Sequence, residues 1–180
     1  MIKIYCKETL KKVLKSNNIS NYVPAYNGES AGLDLYNSGD DISIMPSLNN
    51  KKGSMVSTGL HVFTPPGYVT LIKERGSITK TPLKYRAGVI DVGYTGEIFV
   101  NLVNVSNEEY NIKYGEKLPV QIIVVKCDNE YSEIDDEEYL NLSTLSTRKK
   151  GKIGSSDWIR NKVWKKNAMV LVLTQIMTIN

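Results

Sequence analysis

Between residues 22 and 127 the apolar positions come in short runs, each closed by glycine or proline. The runs 42–45, 55–63, 68–73, 97–105, 110–114 and 118–125 are either apolar throughout or alternate apolar with polar. These are strand lengths, and alternation is what a sheet with one buried face requires. The breaks fall at Gly28, Gly32, Gly39, Gly53, Gly59, Pro65-Pro66-Gly67, Gly76, Gly88, Gly93, Gly96 and Gly115. Many short strands between such turns, with no sustained helical period, predict an all-β body built as a barrel or sandwich. Ahead of it, MIKIY alternates like a strand. Leu10, Val13 and Leu14 have helical spacing, which predicts a short helix over 7–15.

The pattern changes after Cys127. Residues 128–138 are acidic without strand alternation, and 142–154 are rich in Ser, Thr, Lys and Gly. The chain therefore divides into a β body over 1–127, a linker and flexible arm over 128–157, and an apolar C-terminal extension over 158–180 with no assigned role.

Composition narrows the chemistry. A chain of 180 residues is long enough for one self-supporting core. Lys plus Arg number 23 against 19 Asp plus Glu, a net +4 that favours anionic ligands but not a nucleic-acid partner. His61 is the only histidine, and Cys6 and Cys127 are the only thiols. That excludes a multi-histidine metal site, a zinc cluster and a disulfide framework. The start of the chain lacks the apolar run of a signal peptide, and the most apolar stretch, 168–177, is far short of the about 20 residues that cross a bilayer. An intracellular protein with no membrane partner is expected.

Four segments carry candidate chemistry. Asp34 sits between Leu33 and Leu35 at the head of a strand, so it faces away from them. It is either a turn-flanking aspartate or a functional one. Gly88, Gly93 and Gly96 frame a turn system containing Asp91 and Tyr94, where a ligand can approach the backbone. Arg75 opens Gly76-Ser77-Ile78-Thr79, a guanidinium beside hydroxyls and amides that suit phosphate oxygens. Arg148, Lys149, Lys150 and Lys152 stand among glycines and hydroxyls, an arrangement that can fold over a polyphosphate. Singly, these segments support only a β protein with anion-friendly loops.

In order along the chain they resemble the trimeric dUTPase family. The motifs are SAGLDL at 30–35, TGLHVFTPPGYVTLIKERGSI at 58–78, AGVIDVGYTGE at 87–97, GEKLPVQIIV at 115–124 and RKKGKIGSS at 148–156. The third is the closest match, and a viral or phage-type member fits the departures below. The resemblance implies a jelly-roll-like β barrel in a homotrimer with shared active sites, hydrolysing dUTP to dUMP and pyrophosphate. It implies that the hairpin at Gly88 holds uracil through its backbone. Asp91 would orient or activate the attacking water and contact the sugar 3′-hydroxyl. Tyr94 would pack on the deoxyribose and leave no room for a 2′-hydroxyl. Arg75, Gly76, Ser77 and Gln121 would line the phosphates, and Arg148 would hold the γ-phosphate end. Ile153, Gly154 and Ser155 belong to the arm that closes over the nucleotide. Mg²⁺ would be held by the triphosphate and its waters, with no direct protein ligand, and Asp34 would anchor those waters.

The sequence also departs from the family pattern. Gly76 stands where a serine usually follows the arginine, and Ser77 comes one later. Gly115 and Gln121 are six apart rather than five, with Pro119 between them, which a β-bulge would absorb. Ile153 replaces the aromatic that caps uracil, and Lys152 replaces a glycine. These departures and the extra C-terminal segment motivate the alternative of a dUTPase-like regulatory protein acting on a protein partner with weakened catalysis. A dCTP deaminase would need a carboxylate at the position of Asn101, whose amide cannot serve as a general base.

Overall fold

The computed structural model describes residues 2–26, 29–48, 52–127 and 130–145. The chain divides into two units, Met1–Asn129 and Glu130–Asn180. In the first, β1 (Lys3–Cys6) and α1 (Glu8–Ser16) precede β2 (Leu33–Tyr36), β3 (Ile42–Ile44), β4 (Ser54–Ser57), β5 (Leu60–Phe63) and β6 (Tyr68–Glu74). A 3₁₀ helix, Gly76–Lys80, leads to β7 (Leu83–Arg86), β8 (Val89–Ile90), β9 (Phe99–Asn104), β10 (Tyr110–Ile112) and β11 (Lys117–Lys126). All strand pairs are antiparallel. They form a four-stranded sheet β2-β11-β6-β8, a three-stranded sheet β4-β9-β7, and the pairs β1-β5 and β3-β10. The protein is thus mostly β, and among the described residues no sheet closes on itself.

Alternation sets which side chains enter the core. On β9, Val100, Leu102 and Asn104 are buried while Phe99 is exposed. On β2, Leu33 and Leu35 are buried and Asp34 is not, as the motif's pattern predicts. Asn104 is a buried polar group made tolerable by full pairing: its amide nitrogen donates to the Ile44 and Glu108 carbonyls, and its oxygen accepts from Ser106 N–H and Oγ. Leu102 is completely buried. Leu102→Ala is expected to cost about 3 kcal/mol by removing methyls from a packed site, read as a lower denaturant midpoint at unchanged slope.

The amphipathic N-terminal helix forms as predicted, with Leu10, Val13 and Leu14 buried. Packing stabilises α1 more than its ends do, since Lys7 at the N-cap makes no side-chain capping bond.

The run 55–63 is two strands rather than one. Buried Thr58 sends its hydroxyl to the Ile98 carbonyl at 2.6 Å, and Gly59 follows at φ +63°. A Cβ on Gly59 would meet Leu10 Cβ at 2.9 Å and Ser38 Oγ at 2.7 Å, so the chain breaks there and continues in another sheet. β7 and β8 fall outside the predicted runs: β8 is two residues long, too short to show a pattern, whereas the alternation of Leu83–Arg86 in β7 is a local signal that went unread.

In the second unit, α2 (Asp136–Leu145) occupies part of the stretch read as linker. Asp135 accepts the Glu138 N–H at 2.8 Å, and Asp136, Glu137 and Glu138 fill the first turn, where negative charge suits the helix N-terminus. No α2 residue is buried. Among the described residues no helix is long and apolar enough to cross a membrane.

Candidate functional site

The site residues expected from the sequence gather in two places. The first lies where β2, the end of β6 and β11 meet. Arg75 Nε is 2.6 Å from Asp34 Oδ1, and Lys117 Nζ is 3.0 Å from Asp34 Oδ2. Arg75 is further oriented by main-chain carbonyls, with Nη1 donating to Leu118 O at 3.2 Å and its backbone N–H to Pro119 O at 2.9 Å. Nη1 also donates to Ser77 Oγ at 3.3 Å. The hydroxyl displaced by one position therefore still lies at the guanidinium. Nothing lies within 4 Å of where a Gly76 Cβ would be, so sterics do not demand glycine there.

β11 is irregular in the stretch where the fourth motif carries its extra residue. Lys117 pairs with Tyr36 and Gln121 with Asp34, so four steps on β11 match two on β2. Pro119 is tolerated inside this irregular stretch, where a proline costs no ladder bond. Gln121 lies opposite Asp34, with Nε2 donating to Glu74 O at 3.2 Å and Oε1 resting where a Gly32 Cβ would lie. That contact explains the glycine in SAGLDL.

Lys117 was not singled out from the sequence, since nothing in a bulged strand's pattern tells which residue it turns inward. Burial alone would lower its pKa, but bonds to Asp34 and Tyr36 outweigh burial and raise it. Tyr22 donates to the Asp34 carbonyl at 2.6 Å, and burial pushes its hydroxyl pKa well up. A cavity of about 290 Å³ opens beside Ser77, Lys80, Glu116 and Lys117, so its lining carries charges of both signs, and Lys117 is already paired with Asp34.

The second place is the hairpin that follows β7. Ala87 has φ +62° and Gly88 φ +137°. The Gly88 carbonyl accepts the Ile72 N–H at 2.7 Å, and a Cβ at Gly88 would press the Ile72 carbonyl at 3.2 Å and the Tyr85 ring at 2.9 Å. Glycine is required there. β8 then pairs with β6 through Thr70↔Ile90 and Leu71↔Val89, and a turn closed by Tyr94 N–H to Asp91 O at 3.0 Å follows. Asp91 is exposed, and Tyr94 is 46% exposed with its hydroxyl donating to Glu97 O at 2.8 Å. A cavity of about 300 Å³ opens here, with Ile72, Ile90 and Ile98 beneath and Asp91, Tyr94 and Asn101 among its polar lining. An apolar floor with few polar groups at its edge suits a flat base and a sugar.

Glu97 is a lining residue that the sequence did not mark beyond its place in the motif. Its Oε2 meets Lys7 Nζ at 3.0 Å, and its Oε1 accepts from Gly59 N–H at 2.9 Å and from Ser57 Oγ. Burial alone would raise its pKa; the bonds from Ser57, Gly59 and Lys7 outweigh burial and hold the carboxyl below the ordinary glutamate value. The ionised carboxylate therefore contributes stability at neutral pH that is lost as pH falls through this lowered value.

Gly88, Asp91 and Tyr94 thus belong to the hairpin cavity, and Asp34, Arg75, Ser77 and Gln121 to the charged cluster. Arg148, Ile153, Gly154 and Ser155 lie outside the described residues.

The family model named dUTPase matches residues 19–156. A deoxyuridine 5′-triphosphate nucleotidohydrolase of Dictyoglomus turgidum is 36% identical over 135 residues, covering 71% of this chain and 84% of the relative. Among solved structures, the Staphylococcus bacteriophage 80alpha dUTPase with dUPNHPP aligns at TM-score 0.65 and 19% identity, over 86% of this chain and 97% of that one. A dUTPase of phage phi11 of S. aureus, whose structure describes coordination of a structural Mg(II) ion, aligns at TM-score 0.58 and 20% identity, over 76% and 97%. With a family match spanning both clusters and a relative this similar over most of its length, the chain belongs to the dUTPase family.

Proposed function

We propose that this chain hydrolyses dUTP to dUMP and pyrophosphate, keeping uracil out of DNA and supplying dUMP. The observation that carries this reading is the hairpin cavity, which Gly88 lines, with the exposed Asp91 and the half-exposed Tyr94 at its edge. Uracil pairs with the hairpin backbone, and Tyr94 lies against the deoxyribose where a 2′-hydroxyl would collide. Asp91 orients a water and takes its proton as the oxygen attacks the α-phosphorus. The new O–Pα bond forms as the bond from Pα to the bridging oxygen breaks, and pyrophosphate leaves with that electron pair. Arg75, Ser77 and Gln121 hold phosphate oxygens, and Arg148 the γ-phosphate end. Catalysis is then positioning and charge neutralisation rather than covalent chemistry.

A jelly-roll-like homotrimer with shared active sites accounts for the separation of the charged cluster from the hairpin cavity, since a neighbouring copy can bring one to the other. In this reading 1–127 is the barrel, 128–157 the linker and closing arm, and 158–180 an extension. The working place is inside the cell, the host cell for a phage-type member.

Mg²⁺ fits the donor set through Asp34. Its carboxylate is 18% exposed and spends one oxygen on each of two cations, leaving lone pairs to accept from metal-bound waters. When bound, Mg²⁺ neutralises triphosphate charge, and the chain's own part is to hold the phosphates and the water.

Pyrophosphate release from dUTP with Mg²⁺, with dCTP, dTTP and UTP in parallel, tests the reading. Selective turnover of dUTP supports it; a folded protein that binds dUTP without turnover would favour the regulatory alternative. A second expectation concerns Gly96, where a Cβ would lie 2.6 Å from the Tyr94 hydroxyl oxygen. Gly96→Ala should swing the ring off its place and lower kcat/KM for dUTP by about tenfold or more with little change in Tm.

A further inference from the structure

The loop that carries Tyr94 is tied down by a closed circuit reaching the start of the chain. Lys7, just ahead of α1, donates its backbone N–H to Gly59 O at 2.8 Å. Gly59 N–H donates to Glu97 Oε1 at 2.9 Å, and Lys7 Nζ returns to Glu97 Oε2 at 3.0 Å. Ser57 Oγ shares Oε1. The Glu97 side chain is only 10% exposed, so the carboxylate is charged, shielded and bonded from three directions.

The bonds flanking it close the same loop onto β5. His61 Nδ1 is 2.9 Å from Thr95 O, and Ile98 N–H donates to Leu60 O at 2.7 Å. The Tyr94 hydroxyl then donates to the main-chain oxygen of Glu97 itself, at 2.8 Å. The ring is otherwise half-exposed and rests on Gly96. Its position therefore follows that of Glu97. An aromatic face that must exclude a single hydroxyl works only if it cannot retreat, and small displacements at such a contact cost orders of magnitude in rate.

We propose that Glu97, fixed by Lys7, is a positioning residue for sugar discrimination: it holds the 94–98 loop so that the Tyr94 ring stays against the deoxyribose and turns away a ribonucleotide. The inference rests on the dUTPase reading. In that reading Glu97 acts through Tyr94, since its carboxylate is taken up by Lys7, Ser57 and Gly59.

Glu97→Gln keeps the shape and the acceptor for Ser57 and Gly59 but sets an amide against the Lys7 ammonium. The ratio of kcat/KM for dUTP to that for UTP is expected to fall by about tenfold. Lys7→Met should move it the same way by less, because Ser57 and Gly59 still hold the carboxylate. Lys7→Arg, which keeps the cation, should restore the wild-type ratio. A merely structural role would lower Tm without moving this ratio. If Glu97→Gln fails to fold, Lys7→Met and Lys7→Arg carry the test, since Lys7 is half-exposed. A wild-type protein that does not hydrolyse dUTP overturns the dUTPase reading and this inference with it. Hydrolysis of dUTP with an unchanged ratio in Glu97→Gln and Lys7→Met overturns the inference alone.

Discussion

Asp91→Asn is expected to lower kcat for dUTP by about a thousandfold or more while a non-hydrolysable dUTP analogue still binds. The substitution is isosteric. Asp91 holds its turn through the main chain, with its carbonyl accepting the Tyr94 N–H, and asparagine preserves that bond. The exposed carboxylate carries none of the protein's ion pairs among the described residues, so the fold loses nothing. What disappears is a base able to take the proton of the attacking water, an effect worth about 10²–10⁴ in rate, or about 3–5 kcal/mol of barrier. Removing a negative charge beside a triphosphate does not weaken ground-state binding, so calorimetry should return an analogue Kd equal to or below the wild-type value. Substantial hydrolysis by Asp91→Asn would remove Asp91 from the chemical step. Lost binding together with lost turnover would make it a ligand-holding residue instead.

How much of this was legible in the sequence depended on how local the cause was. Leu33-Asp34-Leu35 could be read at once, because alternation on a strand is a property of consecutive residues. The bulge between Gly115 and Gln121 was also readable, since an insertion between two fixed points on a paired strand has few places to go. The split of 55–63 was harder. It depends on Thr58 reaching the Ile98 carbonyl and on Gly59 lying against Leu10, contacts between segments far apart in the chain. Lys117, Lys7 and Glu97 failed to stand out for the same reason. A lysine near the N-terminus and a glutamate after a glycine have no partner until the fold brings them to 3.0 Å. Asp135 with Glu138 was a missed local signal: an acidic cap three residues ahead of another acid marks a helix start, and the charge density concealed it.

Removing residues 146–180 is expected to reduce kcat/KM for dUTP by about a hundredfold or more while leaving the melting transition of the body near its full-length value. The two halves of this expectation have separate causes. Every residue of the described hydrophobic core lies between Leu10 and Ile122, so truncation after Leu145 takes none of it away. The deleted stretch contains Arg148, Lys149, Lys150 and Lys152, four cations of the arm proposed to close over the triphosphate. It also contains Ile153, the residue proposed to cover the base. Losing charge-assisted contacts that strengthen as the leaving pyrophosphate gains charge should fall mainly on kcat, with a smaller rise in KM. The rate should also lose part of its dependence on ionic strength, because fewer cations remain to be screened. Circular dichroism melts alongside steady-state rates at two salt concentrations separate the outcomes. A truncated chain that unfolds would make 146–180 a structural part of the body. One that folds and turns over dUTP at the full-length rate would leave the arm without a catalytic role and place closure of the site elsewhere.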